Sequence, residues 1–343
     1  MNEISDTGGN ITGMIKTKPK IYYIGRNILD NAIWIILVLL ILIFSSTVNG
    51  FFSYINLINI IYHSVYIGLL VIAMSMCLIC GQMDLSLESN AGLTAMLGAW
   101  LSTSNTLPAG SGLGLSPLFV VPLIFIVGGI IGALNGIAVT KLKVNSFIVT
   151  LAGYVAYRGF AILITEGASV RGATPAYRIL DTVTVHSIPL VVFVVIVLYI
   201  FFYLLLRKSK FGRYIYAIGD NIEAAKNFGV KVDAVIIKVF MIAGVLAASC
   251  GWFLSARIDG ATANTARGMI FDVFAAAVIG GISLKGGEGN LVNALGGVLL
   301  LGAITSALNI VAVPVFYIRI MRGGLIAFAV IVDSLKTKYL QVK

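Results

Sequence analysis

Charge is scarce in this chain of 343 residues: 11% are Asp, Glu, Lys or Arg, against 59% hydrophobic. A soluble globular domain carries about 25% charged residues. A mean hydropathy of +1.00 is more than a surface facing water on all sides tolerates, which excludes an ordinary soluble globule. Histidine is rarer still. His63 and His186 lie far apart in sequence and suggest no zinc motif. The dipeptide Gly-Lys does not occur, so the Walker A pattern G-x-x-x-x-G-K-S/T is absent. The chain therefore hydrolyses no nucleotide through a P-loop of its own. Paired carboxylates with histidine inside the apolar stretches, the mark of a proton relay, are missing too, although one aspartate can suffice. No nucleophile–base pair or metal cluster points to a membrane enzyme.

Cysteine is limited to Cys77, Cys80 and Cys250. The first two form a C-x-x-C, a spacing that can hold a metal or a redox couple. No second pair and no nearby histidine accompany it, which favours small buried hydrophobes. The net charge of +10 has a similarly plain reading. Cations gather in cytoplasmic loops of membrane proteins, and no basic run here is interleaved with the exposed aromatics that nucleic acid would need.

What the chain has in abundance is long apolar runs. A bilayer core about 30 Å thick needs about 20 apolar residues in a helix. Ten segments stand out: 31–49, 57–80, 89–104, 117–140, 146–165, 187–206, 236–256, 268–284, 290–312 and 314–335. The expectation is an all-α polytopic membrane protein of about ten transmembrane helices, with most of its length in lipid. Segments 89–104 and 268–284 are short for a full span, as broken helices near a binding site are. Residues 1–30 form a polar tail with Lys16, Lys18, Lys20 and Arg26. The run that follows is long enough to span, so it reads as a retained first helix rather than a signal peptide.

Loop charges orient the chain. Lys141 and Lys143, then Arg207, Lys208, Lys210, Arg213, Lys226 and Lys231, then Lys285, and finally Lys336, Lys338 and Lys343 fall on one side. The other side holds Arg171, Arg178, Arg257 and Arg267, with Arg319 and Arg322 near the last turn-around. The excess predicts both termini in the cytoplasm.

The longest cytoplasmic loop, Arg207–Asp233, contains helix signals in its middle. Asp220 followed by Glu223 resembles a capping box, and Gly229 is a natural C-terminal cap. The two turns between, Asn221 to Phe228, are too short to persist alone in water. They dock either on a partner protein or on the chain's own helices.

Polar breaks interrupt the apolar pattern. Gly81 to Asn90 carries Asp84, Ser86, Glu88 and Asn90 and no base. Polar backbone at membrane depth survives only where protein buries it or where it lines a cavity. This break is a cavity-lining turn or a plain loop, and its lack of bases favours the former. The stretch Gly280–Gly289, with five glycines, reads as a tight turn between packed helices; no strand precedes it as a phosphate loop requires. Arg158 and Asp272 fall inside apolar segments. A charge there faces the bundle interior or water, or, for Arg158, snorkels to the interface. Arg319 and Arg322 share a helix face and read as interfacial anchors or as a docking surface for an outside partner.

Together these motifs resemble a known family. Gly212-Arg213-Tyr214-Ile215-Tyr216-Ala217-Ile218-Gly219, followed by Asn221 and Ala224-Ala225, is similar to the coupling loop of bacterial monosaccharide ABC-importer permeases of the ribose and galactoside type. Asp84-Leu85-Ser86 resembles that family's Gly-x-Asp-Leu-Ser signature. The stretch from Asp272 to Gly289 resembles its late signature, and Asn145 to Leu151 and Val332-Asp333-Ser334 also fit.

The resemblance implies a type II, vitamin B12 permease-like architecture: one transmembrane domain over 31–343 with a cytoplasmic coupling loop at 207–235. It implies inverted pseudosymmetry between segments 2–5 and 7–10, which the sequence does not display. Implied partners are an ABC ATPase subunit, a second permease copy or homologue, and a soluble solute-binding protein, in the bacterial inner membrane. The chain would carry no cofactor, with ATP and magnesium on the ATPase. Gly219, Asn221, Glu223, Ala224, Ala225 and Gly229 would couple to that ATPase, with the two alanines entering a groove on it. Asp84, Ser86, Asn90, Arg158 and Asp272 would shape the substrate path. Three positions depart from the family pattern: Gln82, Glu88 where a small residue is usual, and Ile270 where an acid is usual. The solute, a monosaccharide or similar polyol, is therefore left open against an amino acid. An ion-coupled secondary transporter is the alternative outside the ABC class.

Overall fold

The computed structural model describes residues 32–103 and 112–340, and for 328–330 and 332–340 the backbone path alone. The polar tail 1–30 and Lys343 lie outside the described residues, as do the side chains of Val332, Asp333, Ser334, Lys336 and Lys338.

Each of the ten apolar segments contains a helix. In chain order these are α1 (Ala32–Thr47), α2 (Tyr54–Ile79), α3 (Leu87–Ser102), α4 (Pro117–Lys141), α5 (Ser146–Leu163), α7 (Leu190–Lys208), α10 (Val232–Arg257), α11 (Met269–Ile279), α12 (Leu291–Ile310) and α13 (Val315–Leu340). Three shorter helices, α6 (Ile179–Thr182), α8 (Lys210–Asp220) and α9 (Ile222–Asn227), fill connections. Among the described residues six helices, α2, α4, α5, α7, α10 and α12, are long and apolar enough to cross a membrane. Two-residue strands complete the chain: β1 (Val170–Arg171) pairs antiparallel with β4 (Gly260–Ala261), and β2 (Thr184–Val185) with β3 (Ile188–Pro189). No strand signal in the sequence announced these short pairings.

The centre of the bundle is α2 and α10. From Val65 to Cys80 nearly every residue of α2 is buried, including Leu69, Leu70, Ile72, Met74 and Met76. Against α10 lies α4, and glycine permits their close crossing. Gly128, Gly132 and Gly136 recur every fourth residue on one face of α4 and meet Gly244, Phe240 and Ile237 of α10. In a bilayer, where lipid is as apolar as leucine, such close backbone approach supplies much of the helix association. Cys77, Cys80 and Cys250 are buried free thiols in this core.

Two ends of the bundle are distinguishable. At one, here the glycine end, Gly81, Gly219, Gly286 and Gly287 come together. At the other, the strand end, β1 and β4 pair and Thr103 bridges to Ala173. α2 runs from the strand end to the glycine end, and α10 runs back. α3 then rises toward the strand end, while α11 descends toward the glycine end. These two short helices begin in the interior.

Candidate functional site

The break between α2 and α3 exposes backbone that no helix satisfies, and α5 supplies the missing partners. Ser146 and Thr150, one turn apart and therefore on one face, reach across. Met83 N–H donates to Ser146 Oγ at 3.1 Å and Leu85 N–H to Thr150 Oγ1 at 3.1 Å. An unpaired amide in hydrocarbon costs several kcal/mol, so this hydroxyl pair is what allows the chain to unwind here. Asp84 Oδ1 accepts from both the Ser86 N–H (2.9 Å) and the Ser86 hydroxyl (2.6 Å). The network continues outward: Asn135 Nδ2 donates to Ser86 Oγ at 2.8 Å, and Tyr157 OH donates to Asn135 Oδ1 at 2.7 Å. Asn90 Nδ2 donates to the carbonyls of Gly128 and Gly244 at 3.3 and 3.4 Å, tying α3 to the α4–α10 crossing.

One turn further, Arg158 Nη2 donates to Glu88 Oε1 at 3.0 Å, with Glu88 fully buried. The other Glu88 oxygen, Oε2, accepts from the Ile270 N–H at 3.0 Å. That amide is one of the unsatisfied donors in the first turn of α11, where the helix dipole favours an anion. Arg158 Nη1 donates to the carbonyls of Ala263 and Thr265 at 3.1 and 2.8 Å. Arg158 thus faces the interior and does not snorkel. On α11, Asp272 Oδ2 accepts from Arg322 Nη1 at 2.7 Å, and Arg322 Nη2 lies 3.5 Å from Thr305 Oγ1. Arg322 is therefore no interfacial anchor: it turns inward, while its sequence companion Arg319 is exposed.

The five expected path residues are brought into one polar seam along α3, α5 and α11. Asp84, Ser86 and Asn90 are each about 1% exposed, so as folded here they are packed rather than lining open space. Sequence reasoning missed Asn135, Tyr157, the pairing of Glu88 with Arg158 and that of Arg322 with Asp272. A lone asparagine inside the apolar α4 was the available signal. Glu88 and Ile270, two of the three positions that depart from the family pattern, prove to be the two ends of one hydrogen bond.

The Arg207–Asp233 connection folds as a platform. Ser209 caps α8 by accepting from Gly212 N–H at 2.9 Å. Asn221, not Asp220, caps α9, accepting from Ala224 N–H at 2.9 Å. Asp220 ends α8, and Glu223 pairs with Lys226 at 2.9 Å rather than closing a capping box. Gly229 ends the turn with φ +79°, as expected of a C-terminal glycine. Ala225 is buried against the protein's own helices, Ala224 is half-buried, and Ile222, Glu223 and Phe228 face outward. A pair of small residues presented to a partner groove is thus not what α9 offers; its outward face is led by Phe228, 88% exposed. Gly219 lies inward. A Cβ there would collide with the Ile79 carbonyl and the Gly287 N–H. Gly287 N–H donates to Ile79 O at 2.9 Å, and Tyr216 OH to Gly289 O at 2.8 Å. The glycine-rich turn between α11 and α12 therefore holds α8 against the end of α2.

A polar seam inside an apolar bundle, with an anchored amphipathic platform at one end, is a transport architecture, and comparison with known proteins agrees. A family model described as "Branched-chain amino acid transport system / permease component" matches residues 56–330. The chain belongs to this permease family. Among its relatives, the ribose import permease protein RbsC of Haemophilus influenzae is 29% identical over 94% of this chain and 98% of its own. RbsC of Bacillus subtilis is 32% identical over 88% and 91%. The L-arabinose ABC transporter permease protein AraH of Azospirillum brasilense is 32% identical over 89% and 88%. No solved structure matches the chain. The family is a transport permease component rather than a catalytic enzyme.

Proposed function

We propose that this permease is the membrane subunit of an ABC importer for a monosaccharide or similar polyol, driven by an ATPase on a separate chain. The observation that carries the reading is the outward face of α9 on an anchored α8, in a chain with no Walker A motif. Relatives named for ribose, arabinose and autoinducer 2 import support it. The glycine end is then cytoplasmic, consistent with Lys141, Arg207, Arg213 and Lys226 around it. The ten helices within the ten apolar segments support ten passes and the type II architecture, with both termini in the cytoplasm of a bacterial inner membrane and one domain over 31–343. ATP and magnesium act on the partner, and a soluble binding protein delivers solute at the strand end. A second permease copy completes the passage.

In this reading Asp84, Ser86, Asn90, Arg158 and Asp272 shape the path, and Asn221, Glu223, Ala224, Ala225, Gly219 and Gly229 build the coupling element whose contact residues are Ile222 and Phe228. Conduction demands weak contacts, because a solute that binds tightly does not leave. The test is Phe228→Ala in the assembled transporter. Thermal stability is unchanged, and ATPase co-purification and ATP-driven uptake fall at least about tenfold, as loss of a central aromatic anchor predicts. Unchanged uptake overturns the coupling role. A zwitterionic amino acid is the second solute reading, favoured by the family description; a ligand screen of the cognate binding protein separates the two.

A further inference from the structure

Glu88 stands where three parts of the fold meet. It is the second residue of α3 and has no solvent exposure. Its two carboxylate oxygens serve different partners, Arg158 of α5 and the Ile270 amide of α11, each at 3.0 Å. The same Arg158 spends its other nitrogen on the carbonyls of Ala263 and Thr265. These belong to the non-helical segment 262–268, which leads from β4 down to the start of α11. Gly92 leaves the space this requires: a Cβ there would sit 2.7 Å from Arg158 Nη1 and 3.0 Å from the Thr265 carbonyl. One carboxylate therefore fastens α3, α5, α11 and the segment above α11 at a single point.

We infer that Glu88 is the positioning residue that keeps the strand-end entrance shut at its deepest point, by holding segment 262–268 and the start of α11 against α3 and α5. Opening the passage from that side requires these contacts to separate. The roles of the two oxygens differ. Oε1 meets a charge, and Oε2 must accept from a backbone amide that no other group reaches. An amide side chain offers one acceptor oxygen where the carboxylate offers two, so Glu88→Gln leaves one donor unmet. Exchanging the charges, with Glu88→Arg and Arg158→Glu together, preserves an ion pair and removes the acceptor at Ile270.

The sidedness of the experiment rests on the strand end facing outward, as proposed above; it needs neither ATPase nor solute. The full chain is expressed in cells and treated with a membrane-impermeant maleimide. Cys77, Cys80 and Cys250 are buried and give little background. Ala266→Cys reports on a residue 8% exposed in the shut state, and Asn264→Cys on an exposed neighbour. Ala266→Cys is expected to react slowly alone, and roughly tenfold faster with Glu88→Gln or with Gly92→Ala, the effect of losing a hydrogen bond to a charged group. The charge exchange is expected to leave it fast. Asn264→Cys is expected to react at one rate in all backgrounds, which separates local opening from misfolding. Slow labelling of Ala266→Cys in both variants overturns the inference, as does full return to the slow rate on charge exchange. Should Asn264→Cys react from the opposite face, the sidedness reading fails, and the same comparison run from that face decides the role of Glu88.

Discussion

The two short helices that begin inside the bundle carry the same device in different surroundings. α3 begins with an acid, Glu88, held by an arginine of α5. α11 begins with an acid, Asp272, held by an arginine of α13. The first pair is shut in: Glu88 is wholly buried and Arg158 is 16% exposed. The second is more open: Asp272 is 8% and Arg322 34% exposed. Arg322 borders a cavity of about 520 Å3 that is also lined by Asn56, Asn59, His63, Arg257 and Asn309. Near the first pair, Ser146 and Thr150 accept from the amides of the broken backbone, and Asn135 and Tyr157 extend the side-chain network from Ser86. Around the second, polar side chains face empty volume. Both pairs set an acid near the start of a short interior helix against an arginine from another helix. The difference between the pairs lies in burial: the first is packed within protein, and the second borders a cavity.

This contrast can be broken in graded steps, read as the thermal unfolding midpoint of the purified permease and as uptake. Glu88→Ala is expected to cost most, about 3–5 kcal/mol, because it strands a buried guanidinium. It strands the Ile270 amide as well. Asn135→Ala, near the closed pair, removes two linked hydrogen bonds and is expected to cost about 2 kcal/mol. Asp272→Asn, in the more exposed pair, is expected to cost about 1 kcal/mol, since Arg322 is 34% exposed and also reaches Thr305. Its effect on uptake is expected to exceed its effect on stability. Lys141→Ala breaks an exposed pair with Asp233 and sets the floor, under about 1 kcal/mol. If Asp272→Asn destabilises as much as Glu88→Ala, the two pairs are equally closed and the contrast is lost.

How much of this was readable from sequence differs between levels. Apolar run length located ten helices, because a bilayer imposes a length that composition reveals. The starts of α3 and α11 were near the expected breaks, and α10 extended four residues earlier than its apolar run, to Val232. Pairings were not readable. Arg158 lies 70 residues from Glu88, and Arg322 lies 50 from Asp272. Arg319 and Arg322 look equivalent on a helical wheel; packing of α13 against α11 decides that one turns in and one out. Asp220 and Asn221 are both good capping residues. The choice fell to Asn221 because α8 runs through Asp220, and α8 itself was overlooked. Its helix is held by burial of Ile215 and Ile218, which a charged, polar loop composition conceals.

Gly219, Ile79, Gly286 and Gly287 touch through main-chain atoms alone. Side chains can change shape under load by hopping between rotamers; a backbone-to-backbone contact cannot. α8 therefore meets the end of α2, a few residues before the Asp84 turn, through main-chain contact. In the proposed importer the exposed face of α9 lies apart from this contact, so its residues can change without touching the join between α8 and α2.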